Sequence, residues 1–114
     1  MKGFFKYGCP TINLIINQNK IEALLDTGFN GDLMLPQKII DKLNLEEIGF
    51  SDFTTASGET KKTKVYKSAV KLFDREIETS VLSTDSDFSL AGMELFHNCK
   101  IIIERSKNIL EINC

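Results

Sequence analysis

Residues 24–36 read LLDTGFNGDLMLP, an apolar run that carries straight into Asp26, Thr27 and Gly28. A carboxylate delivered by an apolar strand is costly to bury unless donors hold it. Gly28 has no side chain to keep backbone amides away from that carboxylate. Amides donating to it favour its ionised form and fix its orientation. The Thr27 hydroxyl is a stiff donor and acceptor suited to bracing the same turn. Together these residues could hold an acid that moves a proton or orients a water. The plainer reading is an Asx-type acid that caps a tight turn, and the tripeptide alone does not displace it.

Such an acid needs elements that position it. Thr11–Ile16 is rich in β-branched residues, residues 17–20 form a turn and Ile21–Leu25 follows, so the chain opens with a β-hairpin. Residues 28–31, Gly-Phe-Asn-Gly, are a loop, and Leu33–Leu35 is a short buried strand. Pro36 then opens a helix of about two turns, with Ile39, Ile40 and Leu43 on one face and Asn44 near its end. Residues 48–55 are expected as a strand, Ala56-Ser57-Gly58-Glu59 as a turn and 60–73 as a long β-rich segment. TTASGETKKTKVY is therefore a hairpin with Gly58 at its tip. The chain turns back at Asp74-Arg75 into a strand over 77–82. A polar loop over 83–87 leads to an apolar stretch, 88–91, that ends at Gly92. MELFHN is expected as a second short helix, and 100–104 with 108–112 as a last hairpin. Many short strands with two short helices predict an all-β barrel or sandwich rather than a βαβ protein.

The 114 residues fit one domain spanning 1–114. That length can bury a core without metal or disulfide staples. Hydrophobic residues at 42% and charged residues at 26% argue for an ordinary globular chain over a disordered one. A net charge of −2 leaves no electrostatic footprint for nucleic acid. The lysines at 61, 62, 64, 67 and 71 alternate with apolar residues, as on a solvated strand face. No apolar run is long enough to span a bilayer, and the start lacks the apolar core of a signal peptide.

Cys9, Cys99 and Cys114 are odd in number and widely spaced, so they are expected to be free thiols, with Cys99 buried and Cys114 an exposed end. A reducing, cytoplasmic compartment is then the simplest expectation. No zinc-type spacing is present, and Asp85-Ser86-Asp87 lacks the further oxygens that calcium wants. No metal or cofactor is expected. His97, the single histidine, is read as a surface or half-buried helix residue, and Met34 and Met93 as core. Phe29, Phe53 and Phe88 are each either core or cleft lining.

In order along the chain, ALLDTGFNGDLMLP with the helix QKIIDKLNL, the hairpin TTASGETKKTKVY and the segment SLAGMELFHNCKIII resemble the retropepsin-like aspartic proteases. The likeness is to the small single-domain bacterial and archaeal members, and it extends over residues 11–112. It implies a closed acid-protease barrel with Asp26 as the catalytic acid. Thr27 would interlock with its counterpart across the site, and Gly28 would hold the carboxylate by its amide. Asn30 and the hairpin tip Ala56, Ser57, Gly58 and Glu59 would bind a peptide, the tip closing over it as a flap. Leu90, Ala91 and Gly92 would pack beneath the Asp26 loop.

Proteases of this kind need two carboxylates that share one proton, because like charges about 3 Å apart do not both ionise. The chain has a single Asp-Thr-Gly. An active enzyme is therefore expected to be a homodimer with both Asp26 at the two-fold axis. The expected function is an aspartic endopeptidase acting on a peptide or protein substrate. One alternative is a catalytically silent domain of the same fold that binds peptides or dimerises. The other, a phosphoryl-transfer protein using Asp26, wants a parallel sheet with intervening helices, a pattern this sequence lacks.

Overall fold

A computed structural model describes residues 1–54 and 56–114. Thr55, expected at a strand end, and the side chain of Phe53, expected in core or cleft, lie outside the described residues.

The described residues form ten strands: β1 Phe4–Lys6, β2 Cys9–Ile16, β3 Asn19–Leu25, β4 Leu33–Pro36, β5 Glu46–Thr54, β6 Thr60–Leu72, β7 Arg75–Thr84, β8 Leu90–Ala91, β9 Lys100–Glu104 and β10 Ile109–Asn113. One α-helix, α1 Gln37–Leu43, follows β4 directly. Pro36 sits at its N-cap with an extended backbone, and Asn44 closes it in the left-handed conformation. Both residues suit those positions, since proline pre-sets a helical entry and asparagine tolerates positive φ.

The opening hairpin is tighter than expected. Only Asn17 and Gln18 connect β2 to β3, both at positive φ, as a two-residue turn matched to strand twist requires. β1, which was not expected as a strand, pairs antiparallel with the start of β2. Its turn at Tyr7-Gly8 again has two positive φ values.

Eight strands form one sheet in the order β1-β2-β3-β8-β4-β7-β6-β5, which curls until β2 also meets β6. The expected closed barrel is met only in part. The seam between β2 and β6 has just two register pairs, Ile15 with Lys71 and Ile16 with Val70. Both edges at the seam are already shared. β1 occupies β2 from Cys9 to Thr11, and β5 occupies β6 up to Lys67. Few backbone groups remain for closure, so the fold is an all-β sheet curled to a short seam.

The curl encloses a core of Ile12, Leu14, Ile16, Leu25, Leu33, Leu35, Val70 and Val81, joined by Ile40, Leu95, Phe96, Leu110 and Ile112. Each of these large side chains contributes roughly 1.5–3 kcal/mol on burial. The buried polar residues Ser68 and Thr79 satisfy each other through hydroxyls 2.7 Å apart.

Two expectations need correction. MELFHN forms a single 3-10 turn, Met93–Phe96, and not a helix of two turns. Gly92 is extended, and the Cys99 amide already bonds back to the Phe96 carbonyl at 2.9 Å. The segment is spent seating Leu95 and Phe96 in the core before β9 begins. The second correction concerns the cysteines. Only Cys9 is free and exposed; Cys99 and Cys114 are joined in a disulfide with Cα atoms 4.0 Å apart. The last register pair of the β9–β10 hairpin is Lys100 with Asn113, so the bond joins the next two residues and staples the hairpin's open end. Spacing along the chain hid this, because the pairing depends on the hairpin register. With two thiols paired, cysteine usage no longer argues for a reducing compartment. Among the described residues no helix is long and apolar enough to cross a membrane.

Candidate active site

β3 runs in the core and ends at Leu25, which leaves Asp26 partly exposed where the strand stops. The turn that follows is held by its own acid. The Gly28 amide donates to Asp26 Oδ1 at 2.9 Å, and the Phe29 amide to the Asp26 carbonyl at 3.2 Å. A Cβ at position 28 would come to 3.3 Å from that carboxylate oxygen, so glycine keeps the approach open. This is the fixed orientation that the sequence suggested for Asp26. Thr27 is exposed beside it.

The loop is anchored from below by β8 and the turn after it. The Asp26 amide donates to the Ala91 carbonyl at 2.9 Å, the Gly92 amide to the Asp32 carbonyl at 2.8 Å and the Met93 amide to the Phe29 carbonyl at 2.8 Å. A Cβ on Gly92 would sit 2.1 Å from the Gly31 carbonyl oxygen, a contact that backbone cannot relieve. Leu90, Ala91 and Gly92 thus underlie the acid's loop, and the close backbone approach at Gly92 explains why the apolar pair ends in glycine.

A cleft of about 680 Å³ opens beside the loop. One wall is Gly28 to Asp32, and the other is the stem of the β5–β6 hairpin, through Ser51, Asp52, Thr54, Thr60 and Val65. Ser80 and Leu82 of β7 complete it. Of the expected site residues, Gly28 and Asn30 line this cleft, and Asp26 and Thr27 stand in the same turn. Ala56, Ser57, Gly58 and Glu59 form the exposed tip of the hairpin, beyond the lining of the single chain. Gly58 has φ +87°, as a tight tip requires. Phe29 faces the cleft, whereas Phe88 is 58% exposed on another surface. His97 is exposed, its ring 3.3 Å from the Glu94 carbonyl.

Sequence reasoning passed over Asp32. Its Oδ2 accepts a hydrogen bond from the Ser80 amide at 3.0 Å. That bond ties the acid's loop to β7 across the parallel β4–β7 pairing. The available signal was an acid placed immediately before a fully buried four-residue strand.

The curled sheet and the place of Asp26 define the class: this is the fold of a retropepsin-like aspartic protease. The match to a family model supports that assignment. Residues 12–98 match the family described as "gag-polyprotein putative aspartyl protease", and the chain belongs to that family. A retropepsin-like aspartic protease from Rickettsia conorii is 28% identical, with a TM-score of 0.73 over 99% of this chain and 89% of that one. EIAV protease, solved with the inhibitor HBY-793, gives a TM-score of 0.68 at 22% identity, covering 79% of this chain and 86% of that one. The simian foamy virus (mac) protease gives 0.55 at 23% identity, covering 73% and 87%. The two viral enzymes speak to the fold alone. No curated protein matches the chain.

Proposed function

We propose that the chain is an aspartic endopeptidase that acts as a homodimer, with one Asp26 from each copy. The observation that carries this reading is the Asp26 carboxylate held by the Gly28 amide at the edge of a peptide-sized cleft, in a chain of this family. Each chain carries one Asp-Thr-Gly, so each supplies half of a carboxylate pair.

Facing one another, the two carboxylates hold one proton between them. The ionised one takes a proton from a bound water, whose oxygen attacks the scissile carbonyl carbon. The protonated one gives its proton to the carbonyl oxygen, and a tetrahedral diol forms. Collapse of the diol breaks the carbon–nitrogen bond as the leaving nitrogen takes a proton from one carboxyl and a diol hydroxyl gives its proton to the other, which restores the pair's single shared proton. The Gly28 amide fixes one oxygen of each acid, which aims the other at the water and lowers the cost of orientation. Thr27 braces the two turns against each other across the axis. Asn30 binds an extended peptide in the cleft, and the tip Ala56, Ser57, Gly58 and Glu59 folds over it. No metal or cofactor enters the chemistry.

Wild type and Asp26→Asn incubated with a proteome-derived peptide library, from acidic to neutral pH, test this reading. Cuts made by wild type and lost in the variant are expected. A dimer that makes no cut at any pH would overturn it.

A further inference from the structure

Charge inside the cleft is one-sided. Its described lining carries two charged side chains, Asp32 and Asp52, and no lysine, arginine or histidine. They come from different walls, Asp32 from the acid's loop and Asp52 from the stem of the β5–β6 hairpin. Among the described residues neither has a cation within ion-pairing distance. Lysines of β6 are engaged elsewhere. Lys64 pairs with Glu47 at 3.5 Å and Lys67 with Glu78 at 3.4 Å. Lys62, opposite Asp52 in register, has its ammonium 5.9 Å from the centre of the Phe50 ring.

Asp32 is also held ready for a ligand. The Ser80 amide donates to its Oδ2 at 3.0 Å, which fixes the carboxylate through one oxygen and leaves the other for a ligand. Beside these acids the cleft has an apolar step. Val65 and Leu82 are paired directly across β6 and β7, and both are half-buried in the lining. Long cationic side chains cover apolar surface with their methylenes while the charged end stays among polar groups. Lysine and arginine therefore meet both features of the lining. A glutamate would face like charge, and a leucine would leave both acids unpaired.

We propose that the cleft selects peptides carrying a lysine or arginine, its methylenes on Val65 and Leu82 and its charge on Asp32 and Asp52. The inference rests on the peptide cleft of the proposed function and names the substrate class of that same site. With one cleft in each copy, a basic side chain can be taken on either side of the bond cut.

The test reads binding apart from cleavage. Immobilised Asp26→Asn, which lacks the proton-transfer group, is exposed to a pool of short random peptides in which lysine, arginine, glutamine, leucine and glutamate are equally frequent. The bound fraction is sequenced by mass spectrometry. Lysine and arginine are expected to be enriched roughly tenfold over glutamine, as charge-assisted contacts allow, and glutamate to be depleted. Adding Asp32→Asn or Asp52→Asn is expected to cut that enrichment severalfold, and adding both to abolish it. An asparagine at position 32 still accepts from the Ser80 amide, so the loop keeps its tie to β7. Glu76→Gln removes an exposed acid that does not line the cleft, and it is expected to leave the enrichment unchanged. No enrichment of basic peptides, enrichment that survives both substitutions, or an equal loss in Glu76→Gln would each overturn the inference. Wild type on the same pool reports separately on the protease reading. Cleavage with no basic preference sinks the selectivity alone. Selective binding by Asp26→Asn beside a wild type that cuts nothing sinks the protease reading alone.

Discussion

At the scale of single residues, Asp26 and Gly92 carry separable burdens. Asn at position 26 still offers an oxygen to the Gly28 amide, so Asp26→Asn is expected to leave the thermal midpoint nearly unchanged. It removes the proton-transfer group, and kcat is expected to fall by roughly a hundredfold or more. Gly92→Ala has the opposite profile. Its Cβ would fall 2.1 Å from the Gly31 carbonyl oxygen, which forces the acid's loop off β8. A loss of about 2 kcal/mol or more is expected, read as a lower midpoint in chemical or thermal unfolding. The turn at Asp26 and Gly28 was legible in the sequence because the bond from the Gly28 amide to the Asp26 carboxylate spans only two residues. Asp32 was not, since its partner Ser80 lies forty-eight positions along the chain and is brought near only by the parallel β4–β7 register.

At the scale of elements, hairpins and α1 follow their local signals closely. The β5–β6 hairpin, the β9–β10 hairpin and the Pro36 and Asn44 limits of the helix all lie near where turn residues and apolar spacing put them. The failures are elements whose form is decided elsewhere. β1 is three residues long and exists because β2 offers it an edge. The turn after Gly92 shortens because Leu95 and Phe96 must reach the core. The disulfide needs the β9–β10 register before it can be seen at all.

That bond closes a separation of 15 residues, for which chain entropy suggests about 3 kcal/mol. Cys114→Ser is therefore expected to lower the unfolding midpoint clearly, and a reductant is expected to do the same to wild type and nothing further to the variant. At the other hairpin, Gly58 sits at φ +87°, where a β-branched residue is strained by about 1–2 kcal/mol. Gly58→Val is expected to raise KM for peptide cleavage and to lower the midpoint modestly, in line with that strain. Steady-state kinetics beside a melt separates these effects.

At the scale of the whole molecule, the curled sheet closes by a two-pair seam and leaves a cleft beside the turn that carries Asp26, with Asp32 and Asp52 in its lining. The all-β class could be read from the density of strand and turn signals. The partial closure could not, because it depends on how β1 and β5 share the edges of β2 and β6. In the proposed function the chain on its own is half of a catalytic site, and activity would be a property of the pair. Cleavage per chain is expected to fall when the protein is diluted below its dimer dissociation constant.

The most direct test of the shared site is a mixing experiment. Wild type is held at a fixed concentration with saturating peptide while Asp26→Asn is added in increasing excess and allowed to exchange. If each active unit needs an Asp26 from both copies, mixed dimers are silent and cleavage declines towards zero as the variant takes up the wild-type chains. Cleavage that holds steady through a large excess, with exchange verified by mass, would mean that one chain suffices and would contradict the account.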